Sequence, residues 1–255
     1  MTRWRIIIDG PADGCRNMAV DRAILAAHAE GQAPPTLRLY RFAPPTVSIG
    51  RFQNIADVDV EYCREHGIGI CRRPTGGRGV LHDDELTYSI VAGVADGLPR
   101  GVRESYRYLS GALAEAYRAL GVDATLTARD RGSRGGACYL HATGADLSLG
   151  AAKLSGSAQV WDGDSCLQHG SFVITRDVHR EAQAFMLDDA ARDALGRSTA
   201  TIADATGRRP GDDEIAAALI AATRSVLGAQ TVRGDLSNAE RAFARSAAGE
   251  YRIGT

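Results

Sequence analysis

Arg72-Arg-Pro-Thr-Gly-Gly-Arg-Gly-Val-Leu-His-Asp-Asp-Glu-Leu-Thr-Tyr-Ser89 is the stretch from which the rest of the chain is most readily read. Gly76, Gly77 and Gly79 fall within four positions, so the backbone here can approach a ligand closely. Its N–H groups can then line a concave site for an anion or a carbonyl. No Gly-Lys-Ser/Thr follows, which excludes a Walker loop, and the glycine spacing misses the dinucleotide fingerprint. On composition alone the same residues also make a glycine-rich hairpin turn. His82-Asp-Asp-Glu85 has metal-binding residue types but matches no zinc spacing, and it reads as a polar turn into the next strand. Apolar runs on either side, Ile68 to Arg72 and Leu86 to Val94, predict two strands flanking the loop.

Working outward, Trp4 to Ile8 predicts a strand and Asn17 to Glu30 a helix, with Met18, Ile24, Leu25 and His28 near one face. Thr36 to Phe42 alternates as a strand. Pro44-Pro45 breaks the chain before Val47 to Gly50. A short helix is expected over Asp59 to His66, stopped by Gly67, and a longer one over Ser105 to Leu120, ending at Gly121. Residues 129–136 read as a mobile loop. Lys153 to Trp161 and Cys166 to Ile174 read as paired strands around Trp161-Asp-Gly-Asp164. Helices follow at Val178 to Met186 and Asp212 to Leu227, the latter with acidic residues in its first turn. Strands and helices mix without strict alternation, which predicts α+β with a largely antiparallel or mixed sheet flanked by helices. With no repeats and no composition break, residues 1–255 are expected to form one domain, its core over about 30–230.

The 255 residues are 44% hydrophobic and 24% charged, the balance of a soluble domain able to bury a core without disulfides or metal. The longest apolar run, Ile215 to Ala222, has eight residues, against about 20 needed to span a bilayer. The apolar stretch of Met1 to Asp9 is three residues long, too short for a signal peptide. A net charge of −1 and a pI of 6.6 give no global basic field for nucleic acid. Five cysteines, Cys15, Cys63, Cys71, Cys138 and Cys166, contain no C-x-x-C pair and are odd in number, against a zinc site or a secreted disulfide framework. The expectation is a cytoplasmic protein with no metal, membrane or nucleic acid partner.

Two residue types stand out. Lys153 is the one lysine among 30 basic residues. Codon bias accounts for the missing lysines but not for the one that stays. Arginine substitutes for a surface charge, but not where a compact ammonium must fit among small residues such as Gly150-Ala-Ala-Lys-Leu-Ser-Gly156. Cys63, Cys71 and Cys166 read as buried small hydrophobes. Cys138 follows a flexible Arg-Gly stretch and precedes Tyr139 and His141, and a thiol near an ammonium becomes a thiolate nucleophile. A free cysteine is also commonly inert. His169, in Gln168-His-Gly-Ser171, sits in an apolar stretch, where a histidine is commonly a satisfied structural residue.

Together the 72–89 run, Lys153-Leu-Ser-Gly-Ser-Ala-Gln159 and Gln168-His-Gly-Ser171 resemble the biotin/lipoate ligase and transferase superfamily, as do Asn17-Met-Ala-Val-Asp21 and Pro45-Thr-Val-Ser-Ile-Gly-Arg-Phe-Gln-Asn54. The likeness covers most of residues 1–180 in order. It is greatest to the cysteine-dependent octanoyltransferases of the LipM type. ATP-dependent lipoate ligases typically have a third consecutive glycine where this chain has Arg78, and Gly-Asn in place of Asp84-Glu85. Many also carry an accessory domain that this chain is expected to lack. The transferases place their cysteine on a loop shortly before the motif lysine, where Cys138 stands. Tyr139-Leu-His-Ala-Thr143 departs from the usual residues after it.

The resemblance implies a class II aminoacyl-tRNA synthetase-like catalytic domain with Cys138 as nucleophile and Lys153 beside it, holding the thiolate and polarising the acyl carbonyl. It implies a substrate site of Arg73, Gly76, Gly77, Arg78, Gly79, His82, Gly156, Ser157, Ala158, His169 and Gly170. The backbone of 156–158 would supply the oxyanion donors, and His169-Gly170 would shape the acyl pocket. The donor would be octanoyl-acyl carrier protein. The acceptor would be a lysine of an apo lipoyl domain, by analogy the glycine-cleavage H protein. The enzyme would work as a monomer with no bound cofactor. Under the alternative, an ATP-dependent lipoate–protein ligase, ATP and Mg would be required and Cys138 would be incidental. A silent acyl-carrier or lipoyl-domain binder and a biotin ligase are the remaining alternatives. Gly135 and Gly136 would permit the loop 129–137 to close over the substrate.

Overall fold

The computed structural model describes residues 2–127, 131–132, 137–138, 141–142 and 146–253. Its strands are β1 (Arg3–Ile8), β2 (Thr36–Tyr40), β3 (Thr46–Ile49), β4 (Gly69–Arg72), β5 (Val80–His82), β6 (Glu85–Gly93), β7 (Thr125–Leu126), β8 (Arg131–Gly132), β9 (His141–Ala142), β10 (Leu147–Leu149), β11 (Ala152–Ser155), β12 (Ser157–Asp162), β13 (Ser165–Val173) and β14 (Gln230–Arg233). The helices are α1 (Gly14–Ala29), α2 (Val60–Glu65), α3 (Val102–Ala119), α4 (Val178–Ala184), α5 (Asp189–Ser198), α6 (Ile202–Thr206), α7 (Asp212–Leu227) and α8 (Asn238–Ala247).

The main sheet runs β12-β13-β6-β2-β1-β14. Its β12/β13, β13/β6 and β6/β2 pairs are antiparallel, and its β2/β1 and β1/β14 pairs are parallel. Both faces are covered. Trp4 and Ile6 of β1 and Ile90 of β6 join α3 and α7 through Leu109, Leu113, Ile215 and Leu219. Their neighbours Ile7 and Val91 point the other way, into Met18, Ile24 and Leu25 of α1 and Ala244 of α8. All nine residues of β6 are buried, with Leu86, Tyr88 and Ile90 in the α3/α7 core and Glu85, Thr87 and Ser89 alternating with them in buried hydrogen bonds. The core extends beyond 30–230, reaching Trp4 at one end and Tyr251 at the other. A second sheet, β4-β3-β5, and a third, β11-β10-β7, lie beside the main one.

The α+β fold with a mixed sheet is as expected, and its strands and helices lie close to the predicted spans. Lys153 to Trp161 is the main departure. It is two strands, with β11 paired to β10 and β12 to β13, broken at Gly156. An apolar alternation shows that a segment is extended but not which neighbour it pairs with, and a glycine inside it marks the point of exchange. Val80 to His82, read as loop and polar turn, is a short strand antiparallel to β3. Most of the loop 129–137, with Gly135 and Gly136, lies outside the described residues, as does Tyr139. Among the described residues no helix is long and apolar enough to cross a membrane.

Candidate active site

The glycine strap is held from inside by Arg73, which is 5% exposed. Its guanidinium donates to the carbonyls of Gly76 and Arg78, both at 2.7 Å, and to that of Ser48 at 3.0 Å. Gly77 takes φ +91°, which lets the chain turn over this guanidinium. Gly79 then meets the cysteine segment: its carbonyl accepts the Cys138 N–H at 2.7 Å, and it bridges Ala137. A Cβ at position 79 would lie 2.3 Å from the buried Phe185 ring, so close packing requires glycine there.

Cys138 is half-buried. Lys153 reaches it from β11, with Nζ 3.7 Å from Sγ and 3.4 Å from the Cys138 carbonyl. The ammonium also pairs with Asp146 at 2.9 Å, both side chains being 3% exposed. Burial acts to lower the Lys153 pKa, but the attraction of Cys138 and Asp146 outweighs it and the group is held above its ordinary value. Tyr106 completes the row, donating to Asp146 at 3.1 Å while its oxygen accepts the Ser157 N–H at 2.8 Å. That N–H is therefore taken by Tyr106.

A small pocket, with free space of about 60 Å³, opens beside the sulfur. Met18, Tyr40, Phe42 and Val80 form apolar wall, and Arg73, Gly77, His82, Cys138, Gly156, Ser157, Ala158, His169 and Gly170 line it too. Gly76 and Gly79 flank it in the strap. Arg78 is exposed and does not line it.

Two buried polar networks hold the wall. Asp21 of α1, fully buried, accepts from Arg38 at 2.7 Å, Tyr40 at 2.9 Å and Ser89 at 2.8 Å, with His169 Nδ1 at 3.1 Å. Burial opposes its charge, but Arg38 and His169 outweigh that and hold the carboxyl below its usual range. Burial lowers the His169 pKa despite Asp21, so the ring is neutral. An ionised carboxylate only accepts, so Nδ1 carries the proton and Nε2 accepts from the Thr75 hydroxyl at 2.7 Å. His169 thus ties α1 to the strap.

The second network centres on Glu85, which faces His82 Nδ1 at 2.6 Å and accepts from Thr87 and Ser171, both at 2.7 Å. His82 Nε2 meets Ser48 at 2.8 Å, and Phe42 stacks on the ring. Asp83 and Asp84 turn away to Arg180 and Arg209, so the 82–85 quartet is divided between two directions. Cys63, Cys71 and Cys166 are buried as expected. Burial pushes the first up to about 11 and the last up to about 12, away from reactivity.

Sequence reasoning singled out Arg73, Gly77, His82, Cys138, the 156–158 segment, His169 and Gly170 of the lining, but not its apolar side chains, Asp146 or Tyr106; it read Glu85 only as part of a polar turn and gave Asp21 no role. The one readable signal for these was Asn17 and Asp21, two polar residues one turn apart on a helix face otherwise apolar.

Residues 13–224 match the lipoyl protein ligase A/B catalytic domain family. The chain is 38% identical to an octanoyltransferase LipM from Kyrpidia tusciae, covering 98% of this chain and 97% of that one. It is also 38% identical to an octanoyltransferase LipM from Symbiobacterium thermophilum, covering 96% and 94%. Among solved structures, a bi-partite lipoate protein ligase from Thermoplasma acidophilum superposes with a TM-score of 0.81 at 24% identity, covering 98% of this chain and 93% of that chain, a likeness of fold. In sequence and in fold alike, the chain belongs to the lipoyl protein ligase A/B catalytic domain family.

Proposed function

We propose that the protein is an octanoyltransferase of lipoate biosynthesis. It moves an octanoyl group from acyl carrier protein, through a thioester on Cys138, to a lysine of an apo lipoyl domain such as the glycine-cleavage H protein. The observation that carries this reading is the buried Lys153 ammonium 3.7 Å from Cys138 Sγ at the edge of an apolar pocket. The thiolate attacks the donor carbonyl, forming a C–S bond. The tetrahedral oxyanion collapses, and the carrier thiolate leaves and takes up a proton. The acceptor amine then attacks the enzyme thioester, loses a proton, and the Cys138 thiolate departs, leaving an amide.

Lys153 faces both the sulfur and the developing oxyanion, where a fixed charge acts without reorganisation. Burying the six methylenes of the acyl chain at about 0.8 kcal/mol each supplies about 5 kcal/mol toward holding the donor. The reaction uses no bound cofactor, and its setting is the cytoplasm, with the enzyme as a monomer.

The test is intact-protein mass spectrometry with octanoyl-acyl carrier protein and no ATP. One added octanoyl group, absent in Cys138→Ser and removed by hydroxylamine, is the expected result. Acceptor modification that requires ATP and free acid, and survives Cys138→Ser, would make the protein an ATP-dependent ligase instead.

A further inference from the structure

On the outer side of the Arg73-Pro74 segment lies a second, open pocket, lined by Arg22, Arg51, Arg72, Trp161 and Tyr251 and sharing Arg73 with the acyl pocket. Its charges are unevenly matched. Arg22 pairs with Asp162 at 2.8 Å. Among the described residues, Arg72 donates to the carbonyls of Gly50, Arg51 and Gln53, and Arg73 to carbonyls and the Ser48 hydroxyl. Among the described residues no carboxylate comes within ion-pair distance of Arg51, Arg72 or Arg73. Asp162 and Glu250 are the carboxylates on the wall, so the positive charge is in excess. Cations without counter-charge form a site for a phosphate group.

We infer that this pocket holds the phosphate of the donor's pantetheine arm. The inference rests on the acyl-transfer reading and deepens it. The two pockets succeed one another along α1, where Met18 and Arg22 are one turn apart, and along β12, from Ser157 to Asp162. Five strand residues span about 16 Å. An extended pantetheine arm has about thirteen bonds from phosphorus to sulfur and spans about 16 Å at ~3.6 Å per three bonds. An arm extended from a thioester at Cys138 is therefore long enough to carry its phosphate into the second pocket. Phe52, 87% exposed and carried on the loop that Arg72 braces, stands at the same rim, where the carrier protein itself arrives.

The experiment compares acylation of Cys138 by octanoyl-phosphopantetheine and by octanoyl-pantetheine, which lacks only the phosphate. In the wild-type protein kcat/KM is at least about tenfold higher with the phosphorylated donor, from a larger KM for the other. Arg51→Ala, on an exposed loop, brings the ratio toward one. Inorganic phosphate inhibits competitively with the phosphorylated donor and not with the other. A wild-type ratio near one overturns the inference, as does a ratio unchanged in Arg51→Ala. Equal inhibition by phosphate with both donors also overturns it, because the site then holds free phosphate rather than the arm. In each of these cases the octanoyl adduct on Cys138 still forms and the transferase reading stands. Absence of an adduct from any donor removes that reading and this inference together.

Discussion

Replacing Asp146 by Asn tests whether the buried row Tyr106, Asp146, Lys153, Cys138 acts as a unit. The Asp146–Lys153 pair, at 2.9 Å with both side chains 3% exposed, has a gross attraction of about 6 kcal/mol at an effective dielectric constant of about 20. The asparagine oxygen still accepts a hydrogen bond, so the net cost is smaller, about 3 kcal/mol, toward the lower end for leaving one buried charge uncompensated. In a domain of this size that lowers the Tm by about 6–12 °C. The same loss at the acylation transition state slows single-turnover acylation of Cys138 about 10²-fold. Wild-type Lys153 has its folded pKa raised, so its contribution to stability is complete below the unfolded value of 10.5 and is lost as pH rises through the folded value. In Asp146→Asn that alkaline loss shrinks. Thermal unfolding and quenched intact-mass time courses read all three effects. Acylation within twofold of wild type together with a Tm within 1 °C would refute the claim that Asp146 holds the ammonium in place.

Gly79→Ala forces a Cβ into the Phe185 ring and displaces the backbone carbonyl that accepts the Cys138 N–H. A stability loss of about 1–3 kcal/mol, with slower Cys138 alkylation, is expected in denaturant titrations and iodoacetamide kinetics. His169 is held neutral below its ordinary value of 6.5. Its contribution is intact above pH 6.5 and falls as pH drops below that, by up to about 1.4 kcal/mol per unit until the folded pKa is reached. His169→Gln should unfold more easily at pH 7.5 yet show a flatter stability profile between pH 6.5 and 5.5. Shortening the donor from octanoyl to hexanoyl removes two methylenes, about 1.6 kcal/mol, and should lower kcat/KM about 15-fold. Equal rates from butanoyl to octanoyl would show that the apolar pocket does not hold the chain.

Legibility followed locality. β1, α1, α3, β6, β13 and α7 carry strong apolar patterns, and each lies within a few residues of its predicted span. The exchange of sheets at Gly156 could not be read, because pairing partners are set by residues far away in sequence. α8 was passed over although Ser237 and Glu240 form a capping box, a signal present in the chain itself. Cys138 and Lys153 were singled out by chemistry and count, and the structure brings them together. Asp146, seven residues before Lys153, had no such signal: an isolated aspartate in a small-residue stretch shows its partner only when β10 and β11 fold against each other. Thr75 became meaningful only through His169, ninety-four positions on.

The parallel pairing of β1 with β14 sets a constraint on the chain while it is being made. Arg3 lies opposite Gln230, 227 residues later. At about 5–20 residues per second, the outer edge of β1 is available for some 10–45 s before its partner leaves the ribosome. Throughout that interval its backbone donors face whatever is nearby, including the β1 of a neighbouring nascent chain on the same message. Trp4 and Ile6 on one face and Ile7 on the other make that edge apolar as well as open. Yield in a cell should therefore depend on elongation rate and chaperone supply more steeply than the stability of the finished molecule implies. Slow codons late in the message are the place to look for that dependence.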